Sequence, residues 1–562
     1  MPAARRPIPP HLLEFVVEQD YEQYTAVDQA VWRFVLLQLS TRLRETAHPA
    51  YRDGLESSGI SPERIPRIEE MDEKLGRVGW GAVCVDGFIP PRAFVEFQAA
   101  GYLPIAADMR TLDHLVYTPA PDIIHEAAGH APILADPEYA AYIARSGQVG
   151  ARAFTLPQDM RVYRAIYTLS EVKENPEATP QEVKAAEAEL EQALASGSGV
   201  SEASRLARLY WWTAEYGLVG TVDDYKLYGA GLLSSLWESH SCHDASVRKL
   251  PLSADCIDVT YDITQPQPQL FVARDFGQLQ AVLGEVEKTL ACAVGGKYAL
   301  DCAERSRELA TLQFAGELEA IGVVESVRSI RGELAAIELS GPIAFARAGA
   351  IVAGLEPEQQ PGGQWLLLGE PDESRAHEYR YPSGMRVEGT APVSIRDQHG
   401  RVGARLLGAA RVVDPERGVV YEGPLRLVTL SHFVSAHAGA SDPAYHPPTE
   451  RRGVRVPKPR RLPPHEAGLL SLYERAQSVL RGGSTEQVRT EFARVHQRLG
   501  SEFQGEWLLR WNLLESLLKL GEKDTLSRTL SEELEALEVR YEYRQPIDSG
   551  LRYLRNRFSL SP

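Results

Sequence analysis

The chain has 562 residues, of which 44% are hydrophobic and 24% charged, and its formal net charge is −17. The length predicts three or four domains, and the acidic balance argues against nucleic acid or an anionic membrane surface as partners. Five scattered cysteines, an odd number without a C-x-x-C pair, indicate a reducing compartment. No apolar run reaches the roughly 20 residues of a membrane span or is typical of a signal peptide, so we expect a soluble, cytoplasmic protein.

The N-terminal part of the chain has mainly helical patterns. The longest begins at Thr25, a residue type that often caps helices, and has apolar side chains at helical spacing. A short apolar run rich in valine then predicts a strand, and two prolines after it are typical of a new helix start. The predicted elements are helices at 25–47, 50–58 and 68–76 and a strand at 80–88.

The two histidines of YTPAPDIIHEAAGH (117–130) are the first candidates for a metal site. Two prolines keep the approach extended, so a short helix can start near Asp122. In a regular α-helix the H-x4-H spacing puts the imidazoles of His125 and His130 roughly 140° apart. Both can bind one ion only if the helix is irregular or ends between them, and Gly129 permits such a break. The spacing therefore differs from that of the H-E-x-x-H zinc helix.

A third ligand has to come from elsewhere, and Glu215 is the best candidate. It is the single carboxylate in LYWWTAEYGLVG (209–220), a strongly apolar helical stretch. A buried glutamate is costly unless it is paired or bound to a metal. With His125 and His130 it would form the two-histidine, one-carboxylate set of non-haem iron(II) enzymes. The alternative is a salt-bridged glutamate beside the site. A second cluster in SHSCHD (239–244) lacks a matching fourth ligand, and we reject it.

The C-terminal half changes in composition. Short alternating runs broken by glycine and proline predict a β-rich domain over 321–442. Residues 443–465 are rich in proline and basic side chains, which is typical of an extended linker. Four helical runs follow in 466–562, and this last domain contains no chemistry that the sequence makes visible. We expect it to serve self-association or contact with another protein.

Six stretches of the first 300 residues, in the same order, resemble the pterin-dependent aromatic amino acid hydroxylases, and most of all the bacterial members that act on phenylalanine. The resemblance implies a mainly α catalytic domain with a small β edge over residues 1–320, before the β-rich and helical domains. The matching stretches are VDGFIPPRAF (85–94), the arginine of ADMR (107–110), YTPAPDIIHEAAGH (117–130), LYWWTAEYGL (209–218), KLYGAGLLSSLWE (226–238) and ITQPQPQLFVARDF (263–276).

The resemblance also implies a role for individual residues. The ligands of Fe(II) would be His125, His130 and Glu215. The tetrahydropterin (tetrahydrobiopterin or a bacterial analogue) would contact Gly87, Ile89, Phe94 and Glu126. The amino acid would contact Arg110, Thr118, Pro121, Asp122, Trp211 and Tyr216, and the implied catalytic residues are Glu126, Tyr210 and Ser234.

The implied reaction is hydroxylation of the ring of a free aromatic amino acid by O₂, through an Fe(IV)=O oxidant. Our first hypothesis is conversion of L-phenylalanine to L-tyrosine. Hydroxylation of tryptophan or tyrosine, or meta attack on phenylalanine, is the nearest alternative, because Ala127 and Ala128 stand where animal members have two leucines and leave a smaller wall. The chain also has a helical insertion at 155–205 relative to animal enzymes, and we expect a solvated excursion there.

Two hypotheses belong to other functional classes. A zinc hydrolase would use Glu126 as its base, would bind zinc tightly and would take up no oxygen. A ligand-binding sensor would use the catalytic fold to report to the C-terminal half. In that case deletion of residues 321–562 would change the behaviour of the protein, whereas an enzyme whose C-terminal half has no part in catalysis would keep its turnover.

Overall fold

A computed structural model describes most of the chain. The described residues are 7–85, 87, 89–112, 115, 122–174, 178–197, 199–263, 265–347, 350–351, 358–359, 363–375, 377–389, 393–396, 402–428, 430–440, 464–539 and 544–559. Thr118 and Pro121 and most of the predicted linker lie outside them.

Helices dominate the first part of the chain and return after the linker. The α-helices are α1 (Ala26–Thr46), α2 (Pro49–Ser57), α3 (Ile68–Leu75), α4 (Pro91–Ala100), α5 (Pro137–Gly150), α6 (Pro157–Glu174), α7 (Pro180–Ala195), α8 (Glu202–Tyr210), α9 (Ala230–Ser234), α10 (Glu238–Ser241), α11 (Phe276–Glu287), α12 (Ala291–Val294), α13 (Gly296–Ser306), α14 (Pro464–Gly482), α15 (Thr485–Glu502), α16 (Leu508–Lys519), α17 (Thr525–Glu538) and α18 (Arg544–Phe558). Two π-helical turns cover Ile124–His130 and Trp211–Glu215. Short 3₁₀ turns cover Pro10–Phe15, Tyr21–Gln23, Gly76–Val78, Pro132–Ala135 and Ala254–Asp258.

The first six strands belong to residues 7–306, the part expected to be catalytic and called the catalytic part below, and the remaining strands form a large β-rich unit. The strands are β1 (Gly81–Val85), β2 (Tyr102–Ala106), β3 (Leu218–Gly220), β4 (Tyr225–Leu227), β5 (Arg248–Pro251), β6 (Gln269–Ala273), β7 (Leu309–Phe314), β8 (Leu318–Ile330), β9 (Glu333–Arg347), β10 (Ala350–Ile351), β11 (Glu358–Gln359), β12 (Gln364–Leu367), β13 (Asp372–Arg375), β14 (Glu378–Arg380), β15 (Arg386–Gly389), β16 (Val393–Arg396), β17 (Val402–Asp414), β18 (Gly418–Leu427) and β19 (Phe433–Ala438). In the catalytic part, β1 pairs with β2 in parallel, and a second sheet has the order β4-β3-β6-β5.

The β-rich unit has two sheets, and the long hairpin β8–β9 of the first contributes side chains to two hydrophobic cores. One sheet has the order β10-β9-β8-β7-β19, with β11 and β12 also on β9, and the other contains β13 to β18. Successive residues of a strand point to opposite faces. Accordingly, Ile337 belongs to the core that is shared with β7 and β19, whereas its neighbour Ala336 belongs to the core that is shared with β15 and β17.

Two boundaries differ from the sequence-based prediction. The β-rich unit begins at Leu309, not at residue 321, because β7 (LATLQF) pairs with both β8 and β19. The helices before it end at Ser306, and the boundary expected between residues 320 and 321 lies inside β8. After the linker, α14 to α17 correspond to the four predicted helices, and α18 was not predicted as a separate helix. Its sequence contains Pro546, Gly550 and four arginines, which weakens the apolar pattern.

Helix α1 starts with reciprocal hydrogen bonds between Thr25 and Asp28, as the sequence predicted for its N-terminus. We expected an amphipathic helix, but α1 is buried on several faces, because it lies between two parts of the chain. One side contacts α9 and β4 of the catalytic part, and the other contacts α14, α16 and α18.

The C-terminal helices therefore form one continuous hydrophobic core with the catalytic part. The ring of Phe34 in α1 meets the edges of Trp507 and Trp511, with ring centroids 5.1 and 4.8 Å apart. At the border of this contact, Arg33 binds the buried carboxylate of Glu515 over 2.9 Å. Side-chain burial of this extent stabilises the arrangement of the two parts.

The predicted insertion forms a helical hairpin of α6 and α7. Most of α7 is exposed, with Ala186 and Ala193 buried, as expected of a solvated excursion. Near its base, the carboxylate of Glu202 accepts backbone hydrogen bonds from Phe154 and Ala291, which ties the hairpin to α12. In the part of the chain that the structure describes, no helix combines the length and the apolar character needed to cross a membrane.

Candidate metal centre and substrate pocket

The two histidines of the central motif converge because their helix is irregular. Residues Ile124–His130 form a π-helical turn, in which hydrogen bonds join residues five apart. His125 and His130 therefore lie on the same side, and their ring centroids are 5.0 Å apart. This confirms the expected irregularity. Glycine is needed at position 129 for a different reason from the predicted break in the helix. A Cβ there would lie 2.8 Å from the Ala230 carbonyl oxygen, so glycine permits the close approach of α9.

Glu215 reaches the histidines from a second π-helical turn, which continues α8. Its Oε2 is 3.2 Å from Nε2 of His125, and its Oε1 is 3.1 Å from Nε2 of His130. One ligand atom from each of the three residues lies within 4.8 Å of the other two. Although burial opposes it, the two imidazoles hold the pKa of Glu215 well below its usual range. The carboxylate is thus an anion aimed at two ring nitrogens.

The donor set fits a divalent metal ion of the iron type. Nε2 of His130 is buried and, among the described residues, has no hydrogen-bond partner, although Glu215 is close. A buried nitrogen without a partner is costly unless something else binds it. Two imidazoles and one carboxylate leave part of the coordination sphere open, as non-haem iron sites require. Within the described residues this is the single group of side chains placed to hold a metal ion.

Ser234 determines which nitrogen of His125 faces the centre. The Ser234 hydroxyl donates to the Ala230 carbonyl oxygen over 2.7 Å, and it lies 3.1 Å from Nδ1 of His125. Because its proton is committed to Ala230, the hydroxyl accepts from Nδ1–H of His125. The tautomer that results has its free electron pair on Nε2, the nitrogen that faces Glu215.

A buried ion pair lies beside the metal ligands. Nε and Nη2 of Arg110 donate to the two oxygens of Asp122 over 2.7 and 2.8 Å. The same carboxylate accepts from the backbone N–H of His125, which joins the pair to the π-helical turn. Burial acts against ionisation, but Arg110 still lowers the pKa of Asp122. On the outer edge of the guanidinium, formed by Nη1 and Nη2, Nη1 donates a long hydrogen bond to the Ser234 carbonyl oxygen over 3.5 Å.

Aromatic side chains form a wall next to Glu215. Trp211 stacks on Tyr261 with centroids 4.2 Å apart, and the Tyr216 ring lies 4.7 Å from the Trp211 ring at a tilt of 34°. The Tyr216 hydroxyl donates to Glu238 over 2.9 Å, and the Trp211 indole N–H donates to Gln267 over 3.3 Å. The two rings predicted from the sequence are therefore held by polar contacts at their far ends.

A second aromatic group lies near His130. The Tyr210 ring is 6.4 Å from the His130 ring and meets Phe94 of α4 edge to face at 5.9 Å. Gly87 has a φ of 62°, a conformation that favours glycine, in the loop before α4, and Ile89 is buried in the same region. Glu126 is buried with Oε2 unpartnered within the described chain, and burial raises its pKa to about 8.

Comparison with known proteins agrees with this geometry. A sequence model described as "biopterin-dependent aromatic amino acid hydroxylase" matches residues 18–166 and 182–308. A phenylalanine-4-hydroxylase of Ralstonia nicotianae is 30% identical over 269 residues, which is 47% of this chain and 72% of that protein. The chain belongs to the biopterin-dependent aromatic amino acid hydroxylases. The phenylalanine-4-hydroxylase of Chromobacterium violaceum is 27% identical over 288 residues, 49% of this chain and 82% of that protein.

Solved structures of the Chromobacterium violaceum phenylalanine hydroxylase are also similar to this hydroxylase. The one with bound iron(III) and oxidised 7,8-dihydrobiopterin is 28% identical, with a TM-score of 0.39, and covers 49% of this chain and 85% of that chain. The structure with bound iron and phenylalanine is 28% identical, with a TM-score of 0.38, and the match covers 50% of this chain and 88% of that chain. The family match omits residues 167–181, which lie inside the predicted insertion, and it ends at residue 308, just before the β-rich unit.

Sequence reasoning missed several residues of this hydroxylase site. Glu238 and Gln267 lie inside motifs on which the resemblance rests. Glu238 could have been identified as the single carboxylate that follows an apolar stretch. Tyr261 precedes the last motif, and no pattern distinguishes it. Gln98 is completely buried in α4 and donates to the Tyr210 hydroxyl over 2.7 Å. A polar residue on the apolar face of α4 was its one sequence signal.

Proposed function

We propose that this hydroxylase uses Fe(II), a tetrahydropterin and O₂ to convert L-phenylalanine to L-tyrosine. The observation that carries the proposal is the convergence of His125, His130 and Glu215, whose ligand atoms lie within 4.8 Å of one another. Phenylalanine is the favoured substrate because the curated bacterial relatives are phenylalanine-4-hydroxylases. These three residues would hold the metal, which together with the reduced pterin supplies the activation of O₂.

Arg110 would bind the carboxylate of the amino acid. Asp122 takes up Nε and one side of Nη2, so the Nη1–Nη2 edge is oriented before the substrate arrives. A planar guanidinium binds a carboxylate by two parallel hydrogen bonds on such an edge. Since Asp122 also binds the His125 backbone, the anchor and the metal ligands are held in one frame. Thr118 and Pro121 keep their predicted substrate roles as proposals.

The aromatic wall would orient the ring. Trp211 has ring contacts with both Tyr261 and Tyr216, so its orientation has little freedom. With the carboxylate end anchored by Arg110, this wall determines which ring carbon faces the metal. Misplacement of reacting atoms by ~1 Å can cost on the order of 100-fold in rate. The protein therefore contributes the orientation of the substrate ring, and the orientation required differs between hydroxylation of phenylalanine, tryptophan and tyrosine.

The pterin would lie on the Tyr210 side of His130. Phe94 supplies a ring face for stacking, and Gly87 and Ile89 belong to the adjoining loop. The unpartnered Oε2 of Glu126 is available to polar atoms of the pterin. Tyr210, which touches both Phe94 and His130, would keep the two binding regions at a constant spacing.

Product analysis tests the proposal. Full-length protein loaded with Fe(II) is incubated with phenylalanine, a tetrahydropterin and O₂, and the product is identified by mass spectrometry and NMR. We expect tyrosine. A meta-hydroxylated product, or turnover of tryptophan in place of phenylalanine, would change the assigned substrate or ring position. No oxygen uptake with any aromatic amino acid, in protein that binds zinc tightly, would favour a hydrolase instead.

A further inference from the structure

Arg42 of α1 lies where the catalytic part meets the C-terminal helices. Its Nη1 donates to the Leu236 carbonyl oxygen over 2.6 Å and to the Ser239 hydroxyl over 3.3 Å. Its Nη2 donates to the Ser549 hydroxyl of α18 over 3.3 Å. One guanidinium thus joins two segments that are far apart in the sequence.

The first of these segments leads directly to the aromatic wall. Leu236 and Ser239 flank Glu238, which accepts from the Tyr216 hydroxyl and from the Gln267 backbone N–H over 3.4 Å. Gln267 in turn accepts from the indole of Trp211. A shift of the 236–239 segment would therefore move the two contacts that fix the rings of Trp211 and Tyr216.

The second segment is seated firmly in the C-terminal unit. The Ser549 hydroxyl donates to Oε1 of Gln38 over 2.6 Å, so it presents its oxygen to Arg42 as an acceptor. The next residue, Gly550, lies so close to Trp511 and Phe34 that a Cβ would be 2.7 and 2.9 Å from atoms of their rings. The position of Ser549 is consequently set by the packing of α18 on α16 and α1.

Arg42 is half-buried and lies near Arg552; among the described residues it has hydrogen bonds to Leu236, Ser239 and Ser549 but no ion pair with a carboxylate. Both burial and Arg552 lower the pKa of Arg42. A partly desolvated cation without a counter-ion is costly, and its hydrogen bonds have to compensate. Because this cost would be unnecessary if packing alone held the two segments together, the hydrogen bonds of Arg42 have a role in joining them.

We propose that Arg42 is a positioning residue through which the C-terminal helical unit, residues 464–559, sets the geometry of the amino acid pocket. The inference rests on the proposed hydroxylase function and extends it to a part of the chain that the family match does not cover. The helical unit then belongs to the catalytic machinery as a support of the aromatic wall. Its effect is confined to the amino acid side, because the contacts of Arg42 lead to Trp211 and Tyr216 and not to Phe94.

Steady-state kinetics of full-length, iron-loaded variants test this. Arg42→Met keeps the apolar stem and removes the donors, and Ser549→Ala removes the acceptor on α18. Arg42→Lys restores one donor group. Arg555→Gln is the matched control, because it breaks an ion pair with Glu535 inside the same helical unit. For each we would measure KM for phenylalanine, KM for the pterin, tyrosine formed per pterin oxidised, and Tm.

For Arg42→Met we expect KM for phenylalanine to rise about threefold to tenfold, with less tyrosine per pterin oxidised and a pterin KM within about twofold of wild type. Ser549→Ala should change the same quantities less, Arg42→Lys should recover part of the loss, and Arg555→Gln should behave as wild type. Unchanged phenylalanine kinetics in both Arg42→Met and Ser549→Ala, or an equal rise of both KM values, would overturn the inference. If Arg42→Met does not fold, Ser549→Ala and Arg42→Lys decide. Absence of tyrosine with the wild type would refute the proposed function instead.

Discussion

Nε2 of His130 lies 3.1 Å from Oε1 of Glu215, yet it has no hydrogen-bond partner within the described residues. A histidine and a carboxylate at this distance would usually form a hydrogen bond. The arrangement is instead typical of two ligands that point to a common third atom. His125 completes the set, because the Ser234 hydroxyl directs its Nε2 to the same place.

Replacing the anionic ligand tests this arrangement. Glu215→Gln keeps the shape and removes the charge, so we expect iron affinity to fall by at least ~100-fold and hydroxylation to be lost. Iron content after dialysis, measured by metal analysis, checks the result. Glu238→Gln is the matched control, since Glu238 is also a buried carboxylate near the wall but not a ligand. Equal iron loss in both variants would contradict the assignment.

The Arg110–Asp122 pair predicts both a kinetic and a pH effect. Asp122→Asn should raise KM for phenylalanine by on the order of 10- to 100-fold, because Arg110 loses its fixed orientation. Arg110 holds the folded pKa of Asp122 below its unfolded value, so the carboxylate stabilises the fold above about pH 4 and this contribution is lost as the pH falls further. Thermal midpoints of wild type and variant should therefore differ equally at pH 7 and 5, and converge below about pH 4. A difference that already shrinks between pH 7 and 5 would argue against an ionised pair.

Glu238 predicts the opposite pH dependence. Burial raises its pKa to about 7 against the lowering effects of the Tyr216 and Gln267 hydrogen bonds. The folded state therefore favours the protonated acid, and stability is lost as the pH rises from about 4.5 to about 7, by up to ~3 kcal/mol. Because glutamine does not ionise, the Glu238→Gln variant does not lose this folding stability as the pH rises. Urea unfolding at pH 5 and pH 8 should show that the variant gains stability relative to wild type at the higher pH, and a constant difference would contradict the prediction.

The contact between α1 and the C-terminal helices predicts a large stability effect. Phe34→Ala removes a completely buried ring between Trp507 and Trp511 and should cost about 3–5 kcal/mol of unfolding free energy. Leu194→Ala on α7, where the side chain is 60% exposed, should change it by less than about 0.5 kcal/mol. Denaturant midpoints compare the two. For the same reason, deletion of the C-terminal helices should destabilise the catalytic part, so loss of turnover on deletion of 321–562 would not by itself indicate a sensor.

Much of the site could be predicted from the sequence because it depends on residue types in long motifs. His125, His130, Glu215, Arg110 and Asp122 are all brought together as expected. The π-helical turn could not be predicted, since the H-x4-H spacing allows either an irregular helix or a break. The close approach of Ala230 to Gly129, which involves residues far apart in the sequence, accounts for the glycine in that turn.

The role of α1 was less accessible to prediction. Its apolar positions indicate a buried helix, but they do not say which part of the chain covers each face. Phe34 gives the same signal whether its partner is in the catalytic part or, as here, Trp507 and Trp511. Arg42 gives no signal at all, because an arginine on a helix is usually solvated. Contacts of this kind depend on the packing of separate domains.

The most direct test of the central claim uses ¹⁸O₂ with the wild type and His130→Ala. Both are prepared at full length with Fe(II) and supplied with phenylalanine and a tetrahydropterin, and iron content and tyrosine are measured. We predict that wild-type protein yields tyrosine that contains one ¹⁸O atom, and that His130→Ala neither retains iron nor forms tyrosine. Tyrosine without the label, or a His130→Ala variant that keeps both iron and turnover, would contradict the account.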